Sequence, residues 1–471
     1  MNEATNSEAL WLAEDAAAAS GGKLVGADSW VASGVSIDTR TLKPGDLFVA
    51  LKDARDGHDF LEQAFAAGAC AALVSDIEKA RTHGPALIVD DVLDGLRKLG
   101  VHARERCGAK RIAVTGSVGK TSTKEALALI LSANGPTHKS IASYNNHWGV
   151  PLTLSRMPAL SQFGVFEIGM NHRGEIKPLA DMVRPHVAMI TTIAPAHVEH
   201  LGSIGALADE KGDIFTGLVQ GGAALVPNEA PEAARLIAAA RNVGAQLVRF
   251  GRDATCEARL LRFDMDEAGA DAEADILGQV VRYRVGAPGA HWATNSLAAL
   301  TAAVLAGADL QTSAAALGDL RAADGRGAAK RVETDFGAFL LVDDAYNANP
   351  TSMAAAFSTL SVRKPGNGGR RIAALGDMLE LGPDERAYHA GLAEPLEKAG
   401  VDLVFAAGPR MAALFEALPP TRQGGYAENA DALIPQMLEN VRDGDVILVK
   451  GSNGSRMSRV VAALAQLGAG G

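Results

Sequence analysis

The residues with the clearest chemical pattern form a short glycine-rich segment, Thr115-Gly-Ser-Val-Gly-Lys-Thr121. It lies between an apolar run that predicts a buried strand and a segment that predicts a helix. Triphosphate binding needs backbone N–H groups that curl around phosphate oxygens, a helix N-terminus, a lysine and a hydroxyl group. Gly116 and Gly119 would allow the curl, Lys120 would supply the cation and Thr121 the hydroxyl. The candidate nucleotide-binding residues here are Thr115, Gly116, Ser117, Val118, Gly119, Lys120 and Thr121.

This segment is shorter than the common phosphate-binding loop. The usual G-x-x-x-x-G-K-[ST] pattern has glycine at position 114, where this chain has valine. An ordinary glycine-rich turn is the alternative interpretation, and the Gly-Lys-Thr between a strand and a helix argues against it. A GTPase or kinase would use the same lysine and threonine, but the chain has no N-K-x-D motif to read guanine. The sequence favours a variant nucleotide-binding loop.

Three other side chains could serve chemistry near a bound phosphate. Glu167 ends a predicted strand, where a carboxylate can meet a phosphate-bound magnesium ion. His197 follows another predicted strand, and Lys211 lies in a helical segment. Taken alone, each has a plainer interpretation: Glu167 as a solvated residue, His197 and His200 as a surface pair, and Lys211 as an exposed helix lysine. The residue types alone leave these alternatives open.

Alternating strands and helices must position these side chains. After the loop, apolar runs separated by helical segments predict a parallel sheet with helices on its faces. A second series of alternating strands and helices after residue 325 predicts a Rossmann-like unit. The predicted strands of the two units are residues 111–115, 163–168 and 187–193, and then 339–342, 371–375, 403–406 and 446–450. We also predict a helix over residues 296–306.

Chain length and pattern together predict an α/β protein of three domains. The 471 residues allow about three domains of about 150 residues each. We predict a small α/β N-terminal domain at 1–106 and a central nucleotide-binding domain with a mostly parallel sheet at 107–324. A C-terminal Rossmann-like domain is predicted at 325–471.

Composition excludes several classes of protein. The net charge of −10 provides no global basic surface for nucleic acid or an anionic membrane. The 48% hydrophobic and 21% charged residues are typical of a globular chain and exclude a disordered one. The three cysteines lack C-x-x-C spacing, so neither a disulfide framework nor a thiolate zinc site is expected. No signal peptide or membrane span is predicted, and we expect a soluble cytoplasmic protein.

Motifs spread over nearly the whole chain extend the pattern of the glycine-rich loop. They lie at residues 36–40, 43–51, 144–152, 166–176, 344–350 and 375–382. This ordered set resembles the Mur ligases, ATP-dependent amide-forming enzymes of peptidoglycan synthesis with a T-G-[ST]-x-G-K-T loop. The resemblance is greatest to the member that adds D-alanyl-D-alanine to UDP-N-acetylmuramoyl-tripeptide. It therefore implies these two substrates, ATP and Mg²⁺ as cofactors, and no nucleic-acid or membrane partner.

The resemblance also implies roles that the residue types leave open. Lys120, Glu167, His197 and Lys211 match catalytic positions of the family. Thr121, Glu167 and His197 match metal-binding positions, as does Lys211 if it is carbamylated. Carbamylation would replace a cation with an anion able to hold magnesium.

Three further residues match nucleotide-binding positions of the family. The resemblance implies that Asn295 pairs with the adenine edge, Arg326 lies near the phosphates and Asp344 binds the ribose. Locally, Asn295 fits equally well as the N-cap of the predicted helix that follows it. The C-terminal domain is expected to close over ATP.

Substrate-binding residues are placed by motif only. Thr39 and Arg40 are expected to contact the uridine part, Asn145 and Asn146 the substrate, and Lys450 the incoming dipeptide, with a structural salt bridge as the alternative for Lys450. We expect a monomer. The nearest alternative function is the Mur ligase that adds the third amino acid, but its D-N-P-[RA] motif is missing. Another P-loop NTPase is the more distant alternative.

Overall fold

A computed structural model describes residues 9–195 and 198–468. Within these residues the chain forms three α/β units that follow one another in sequence, each built on its own main sheet. Most strand pairs are parallel, so the predicted fold class is confirmed. His197 lies outside the described residues, and its predicted roles stay predictions.

The first unit has a mostly parallel sheet of five strands. The strands in the described part of this unit, including the two that lie outside that sheet, are β1 (Trp11–Leu12), β2 (Lys23–Val25), β3 (Val31–Ala32), β4 (Gly34–Ser36), β5 (Asp46–Val49), β6 (Ala71–Val74) and β7 (Ala86–Ile88). Its helices are α1 (Ala13–Ser20), α2 (Leu61–Ala66), α3 (Ile77–Ala80) and α4 (Val92–Glu105). The sheet order is β2-β7-β6-β5-β4, with β2 antiparallel to β7 and the other pairs parallel. Strands β1 and β3 form a separate antiparallel pair.

The central unit has a sheet of nine strands. These are β8 (Lys110–Thr115), β9 (Thr137–Lys139), β10 (Phe163–Glu167), β11 (Val187–Ile190), β12 (Ala223–Pro227), β13 (Gln246–Gly251), β14 (Ala258–Met265), β15 (Ala270–Ile276) and β16 (Gln279–Val285). The helices are α5 (Lys120–Ser132), α6 (Gly149–Ser155), α7 (Ile176–Val183), α8 (Val198–Leu201), α9 (Ile204–Gly212), α10 (Ala233–Asn242), α11 (Trp292–Leu305) and α12 (Leu310–Ala316). The order is β16-β15-β14-β13-β12-β11-β8-β10-β9, and only β14–β15 and β15–β16 are antiparallel.

Strand β8 is an interior strand of the parallel part of this sheet. Its residues Ile112, Ala113 and Val114 are fully buried, as their apolar run predicts. Strand β8 pairs with β10 on one side and with β11 on the other. Because parallel strands end at the same sheet edge, the loops after β8, β10 and β11 lie next to one another, where ligands bind in open α/β sheets.

The third unit has a sheet of six strands. These are β17 (Ala328–Thr334), β18 (Gly337–Asp344), β19 (Arg371–Gly376), β20 (Leu403–Ala407), β21 (Gln423–Ala427) and β22 (Val446–Lys450). The helices are α13 (Pro350–Val362), α14 (Glu385–Ala390), α15 (Ala393–Lys398), α16 (Ala412–Ala417), α17 (Ala430–Asn440) and α18 (Ser458–Gln466). The order is β17-β18-β22-β19-β20-β21, in which only β17 is antiparallel to its neighbour.

The main sheets give a physical basis for domain limits. They occupy residues 23–88, 110–285 and 328–450. We propose that the domains meet in the segments between the sheets, near residues 107 and 325. Among the described residues, no helix combines the length and apolar character needed to cross a bilayer.

Candidate active site

A cavity of about 350 Å³ lies between the carboxyl-end edge of the central sheet and the third unit. One wall is the glycine-rich loop and the start of α5. The opposite wall comes from residues before α13 and from α13 itself. Predicted site residues that line the cavity are Ser117, Val118, Gly119, Lys120, Thr121, Asn145, Asn146, Glu167, Arg326, Asp344 and Lys450. The structure thus brings together most of the predicted nucleotide and metal residues.

The glycine-rich loop requires glycine at both predicted positions. Gly116 has φ +148°, and a Cβ there would stand 1.9 Å from Thr191 Oγ1. Gly119 has φ +84° and is the N-cap of α5. Lys120 folds back along the loop, and its Nζ donates to Gly116 O at 2.8 Å. Burial lowers the pKa of Lys120, while the Glu167 carboxylate opposes that shift. The buried strand, the loop and the helix therefore have the geometry that the prediction of a phosphate-binding loop requires.

Glu167 stands at the centre of the site, at the end of β10. Its side chain is 1% exposed. Thr121 Oγ1 donates to Glu167 Oε2 at 2.9 Å, and Asn145 Nδ2 donates to Oε1 at 2.7 Å. The backbone N–H of Glu167 donates to Ser140 Oγ at 3.2 Å. This network fixes both oxygens of one carboxylate beside the phosphate loop, and the interpretation of Glu167 as a solvated residue is wrong.

Lys211 is buried, with 2% of its surface exposed. The interpretation from composition, an exposed helix lysine, is therefore wrong. It lies in the last turn of α9. Its neighbour Glu210 accepts backbone N–H bonds from Gly174, Glu175 and Ile176, which docks this helix against the loop before α7. Burial, and then the positive charge of Lys120, hold the pKa of Lys211 well below its ordinary value.

The third unit contributes a second group of charged residues. Lys450 is 3% exposed, and its Nζ lies 2.8 Å from Asp344 Oδ2, so the salt bridge weighed for Lys450 is present. Lys450 Nζ also donates to Asn347 O at 2.9 Å. Burial raises the pKa of Asp344, against the lowering effect of Lys450. The Arg326 guanidinium stacks over the Tyr346 ring at 4.0 Å from its centroid, and its Nη2 donates to Ser143 Oγ of the central unit.

Asn295 does not line the cavity. Helix α11 begins at Trp292 and its N-cap is His291, so the alternative interpretation of Asn295 as an N-cap is wrong. Asn295 instead lies inside the first turns of α11, buried against the phosphate loop. Its Nδ2 lies 2.8 Å from the place that a Cβ on Gly119 would occupy.

The two residues predicted to contact uridine lie apart from this cavity. Neither Thr39 nor Arg40 is among its lining residues. The Arg40 side chain is 81% exposed, and its guanidinium pairs with Asp38 two residues away. Their role as substrate contacts stays a prediction.

Two residues of the site were missed from the sequence. Ser143 lies between the two walls, with its Oγ 3.3 Å from Thr121 Oγ1 and accepting from Arg326 Nη2 at 3.2 Å. Lys124 is fully buried, and its Nζ lies 4.0 Å from Glu167 Oε2. The helical spacing of three from Thr121 to Lys124 was an available signal, because residues three apart share a helix face.

The oxygen donors at this site are compatible with a hard cation. Thr121 and Glu167 offer a hydroxyl and a carboxylate within 2.9 Å of each other. Such oxygen ligands suit magnesium, which keeps several waters and takes few protein ligands. Within residues 9–195 and 198–468, no group of three His, Cys, Asp or Glu side chains forms a protein-only metal cluster.

Family models match three consecutive parts of the chain. The model described as Mur ligase family, catalytic domain, matches residues 31–90. The Mur ligase middle domain matches residues 114–303, and the Mur ligase, glutamate ligase domain, matches residues 329–453.

Individual proteins match over nearly their full length. The UDP-N-acetylmuramoyl-tripeptide–D-alanyl-D-alanine ligase of Escherichia coli is 36% identical, over 95% of this chain and 96% of that protein. The Bacillus subtilis ligase of the same name is 33% identical, over 92% and 93% of the two chains. The crystal structure of MurF from Acinetobacter baumannii matches with a TM-score of 0.82 and 28% identity, covering 97% of this chain and 99% of that one. This chain belongs to the Mur ligase family.

Proposed function

We propose that this protein is an ATP-dependent ligase that adds D-alanyl-D-alanine to UDP-N-acetylmuramoyl-tripeptide, with release of ADP and phosphate. The observation that carries the proposal is the Thr121–Glu167 pair beside the phosphate loop, which faces a second charged group across one cavity. Relatives that bear this activity in their names align with the chain almost from end to end. We place the reaction in the cytoplasm, in a monomeric enzyme of peptidoglycan precursor synthesis.

The phosphate loop is the proposed site of the ATP phosphates. Its backbone N–H groups and the N-terminus of α5 favour negative charge. Lys120 supplies the cation that reaches the terminal phosphates. Arg326 approaches the loop from the third unit through Ser143, so it supports the same phosphates from the opposite wall. We propose that Asn295 acts on the nucleotide through Gly119, against which its side-chain amide packs.

Mg²⁺ fits the donors present, and we propose that Thr121 and Glu167 hold it, with His197 as a further ligand. When bound, the ion neutralises phosphate charge and orients the phosphates for attack. Asn145 keeps the Glu167 carboxylate in place through the bond to Oε1. Together these residues let an anionic carboxylate approach a polyanion in a protein that carries net negative charge.

Lys211 is proposed to be carbamylated. Its burial and the nearby Lys120 favour the neutral amine, which is the form that attacks carbon dioxide. The amine nitrogen bonds to the carbon of CO₂, one C–O π bond opens onto oxygen, the nitrogen loses one proton, and the neutral side chain becomes an anionic carbamate. In that form Lys211 would join the metal-binding residues instead of repelling the ion.

The proposed reaction has two transfers and needs no side-chain nucleophile. The terminal carboxylate of the tripeptide attacks the γ-phosphorus, the bond to the β-phosphate oxygen breaks, and an acyl phosphate and ADP form. The amine of D-alanyl-D-alanine attacks the acyl carbon, loses a proton, and phosphate leaves. Positioning and charge neutralisation by the chain account for catalysis. We propose that Asp344, Lys450 and the third unit close over the site, because water would hydrolyse the acyl phosphate.

The direct test is acceptor-dependent phosphate release. Purified protein is given ATP, Mg²⁺ and UDP-N-acetylmuramoyl-tripeptide, and D-alanyl-D-alanine is compared with meso-diaminopimelate and with lysine. We expect phosphate release with the dipeptide only. Turnover with a single amino acid and none with the dipeptide would contradict the proposal and favour the ligase that adds the third residue.

A further inference from the structure

Lys124 is a buried lysine that the proposed reaction does not use. It lies in the second turn of α5, one turn after Thr121, and its side chain is fully buried. Its Nζ lies 3.0 Å from Glu125 Oε1 and 4.0 Å from Glu167 Oε2. A buried ammonium group is costly unless its surroundings satisfy it. A third neighbour of the Lys124 ammonium group indicates which segment of the chain this charge stabilises.

That neighbour is the carbonyl of Ala142, to which Lys124 Nζ donates at 2.5 Å. Ala142 lies in loop 140–146, which joins β9 to the turn before α6. Its φ of +49° is in the left-handed region, which is unfavourable for a residue with a Cβ. Such a conformation persists where surrounding contacts enforce it. The charge-assisted bond from Lys124 is a contact of this kind.

Loop 140–146 carries contacts on both sides of the reaction site. Ser140 accepts from the backbone N–H of Glu167, and Asn145 donates to the Glu167 carboxylate. Ser143 contacts Thr121 of the phosphate loop and Arg326 of the third unit. A change in the turn at Ala142 would therefore move the partners of the catalytic carboxylate.

We propose that Lys124 is a positioning residue that holds loop 140–146 in the left-handed turn at Ala142, and thereby fixes Ser143 and Asn145 around the phosphate site. This inference rests on the proposed function only for its kinetic readout. Glu125 orients Lys124 and also pairs with Lys139 of β9, which ties the start of the loop to the same helix.

The proposal predicts a specific coupling between positions 124 and 142. In Lys124→Met the amine is lost and the turn at Ala142 becomes unfavourable. Ala142→Gly removes the Cβ that makes the turn costly, so it should restore part of the lost rate. Leu277→Gly is the matched control, because Leu277 also has a left-handed φ, +55°, but lies in the β15–β16 turn away from the cavity.

The test is a double-mutant cycle on full-length protein. We expect Lys124→Met to lower kcat at least about tenfold, the size expected for a lost hydrogen bond to a charged group, with the KM for D-alanyl-D-alanine unchanged. Ala142→Gly should recover at least about half of that loss on a logarithmic scale, and Leu277→Gly none. If Lys124→Met lowers kcat by the same factor whether residue 142 is alanine or glycine, the proposal is overturned.

A readout without substrate separates this inference from the proposed function. Hydrogen exchange of the backbone amides in loop 140–146 should be faster in Lys124→Met than in the parent protein and slower again after Ala142→Gly. Unchanged exchange would contradict the proposal even if the ligase activity is confirmed. If Lys124→Met does not fold, Lys124→Gln, which keeps an N–H donor without the charge, enters the same cycle and is judged by the same two outcomes.

Discussion

Two regions of the molecule carry candidate site residues in opposite physical settings. In the central unit, Glu167 is 1% exposed and receives side-chain bonds from Thr121 and Asn145. In the first unit, Arg40 is 81% exposed and bound to Asp38, its neighbour in the same turn. The buried group is fixed before any ligand arrives, which is the condition for electrostatic catalysis. The exposed group can only add binding energy once a ligand has organised it.

The third unit lies between these extremes. Its Asp344–Lys450 pair is buried on the lysine side, while the Asp344 side chain is 20% exposed. The pair lines the same cavity as the phosphate loop but belongs to a different sheet. The charged groups therefore become more exposed from the central unit through the third unit to the first, and we expect the effects of replacing charged residues to decrease in that order.

The largest expected effect comes from the phosphate loop. Lys120→Ala should reduce phosphate release by about a thousandfold, because a fixed cation is lost where phosphate charge develops. The unfolding temperature should stay close to that of the parent protein. Lys79→Ala is the control, since Lys79 is an exposed lysine paired with Asp59. A near-normal rate in Lys120→Ala would contradict the assignment of the phosphate site.

The buried pair of the third unit should affect stability and activity together. Asp344→Asn leaves Lys450 without its anionic partner and should lower the free energy of unfolding by about 2 kcal/mol. The double variant Asp344→Asn/Lys450→Met should regain stability in urea unfolding, because no uncompensated charge remains, but not turnover. Recovery of both would show that the pair is structural only.

Asn295 should have a moderate effect that is confined to the nucleotide. Asn295→Ala removes a side chain that packs behind Gly119, so the KM for ATP should rise about fivefold. The KM for D-alanyl-D-alanine should stay the same in steady-state assays. Equal increases in both values would mean that Asn295 supports the fold of the loop and not the nucleotide specifically.

The smallest effect is expected for the exposed Arg40 of the first unit. Arg40→Ala should raise the KM for the UDP substrate about threefold and leave kcat and the unfolding temperature unchanged, because a solvated ion pair adds little stability. Arg81→Ala, which removes another exposed pair of the same unit, should leave all three unchanged. A large fall in kcat in Arg40→Ala would contradict the contrast between buried and exposed site residues, because it would give an exposed residue a catalytic role.

Sequence reasoning succeeded where a local pattern determines the structure. The apolar run before the loop became β8, and Gly116 and Gly119 stand at positive φ values that a residue with a Cβ rarely adopts. Strands β14 to β16 were not predicted, because their alternating polar and apolar residues carry many charges. They pair as two consecutive antiparallel hairpins joined by short turns.

The candidate site also contains residues that a local sequence pattern predicts and residues that it does not. Glu167 could be predicted from its place at the end of a strand and from the family motif. Lys211 could not be recognised as buried, because it stands beside acidic residues in a segment that is typical of an exposed helix. For Lys124, beside Glu125, the spacing of three from Thr121 was the available signal. Burial of such lysines depends on which neighbouring elements cover the helix, and this information is not local. Asn295 was interpreted as a possible N-cap because the helix was predicted to begin at residue 296, whereas α11 begins four residues earlier, at Trp292.

The most direct test of the account is to follow one oxygen atom. UDP-N-acetylmuramoyl-tripeptide is prepared with ¹⁸O in the reacting carboxylate and converted with ATP and D-alanyl-D-alanine, and the products are analysed by mass spectrometry. If the carboxylate attacks the γ-phosphate at the Lys120 loop, one ¹⁸O atom appears in inorganic phosphate and none in ADP. Label in AMP with release of pyrophosphate, or phosphate without label, would contradict the account.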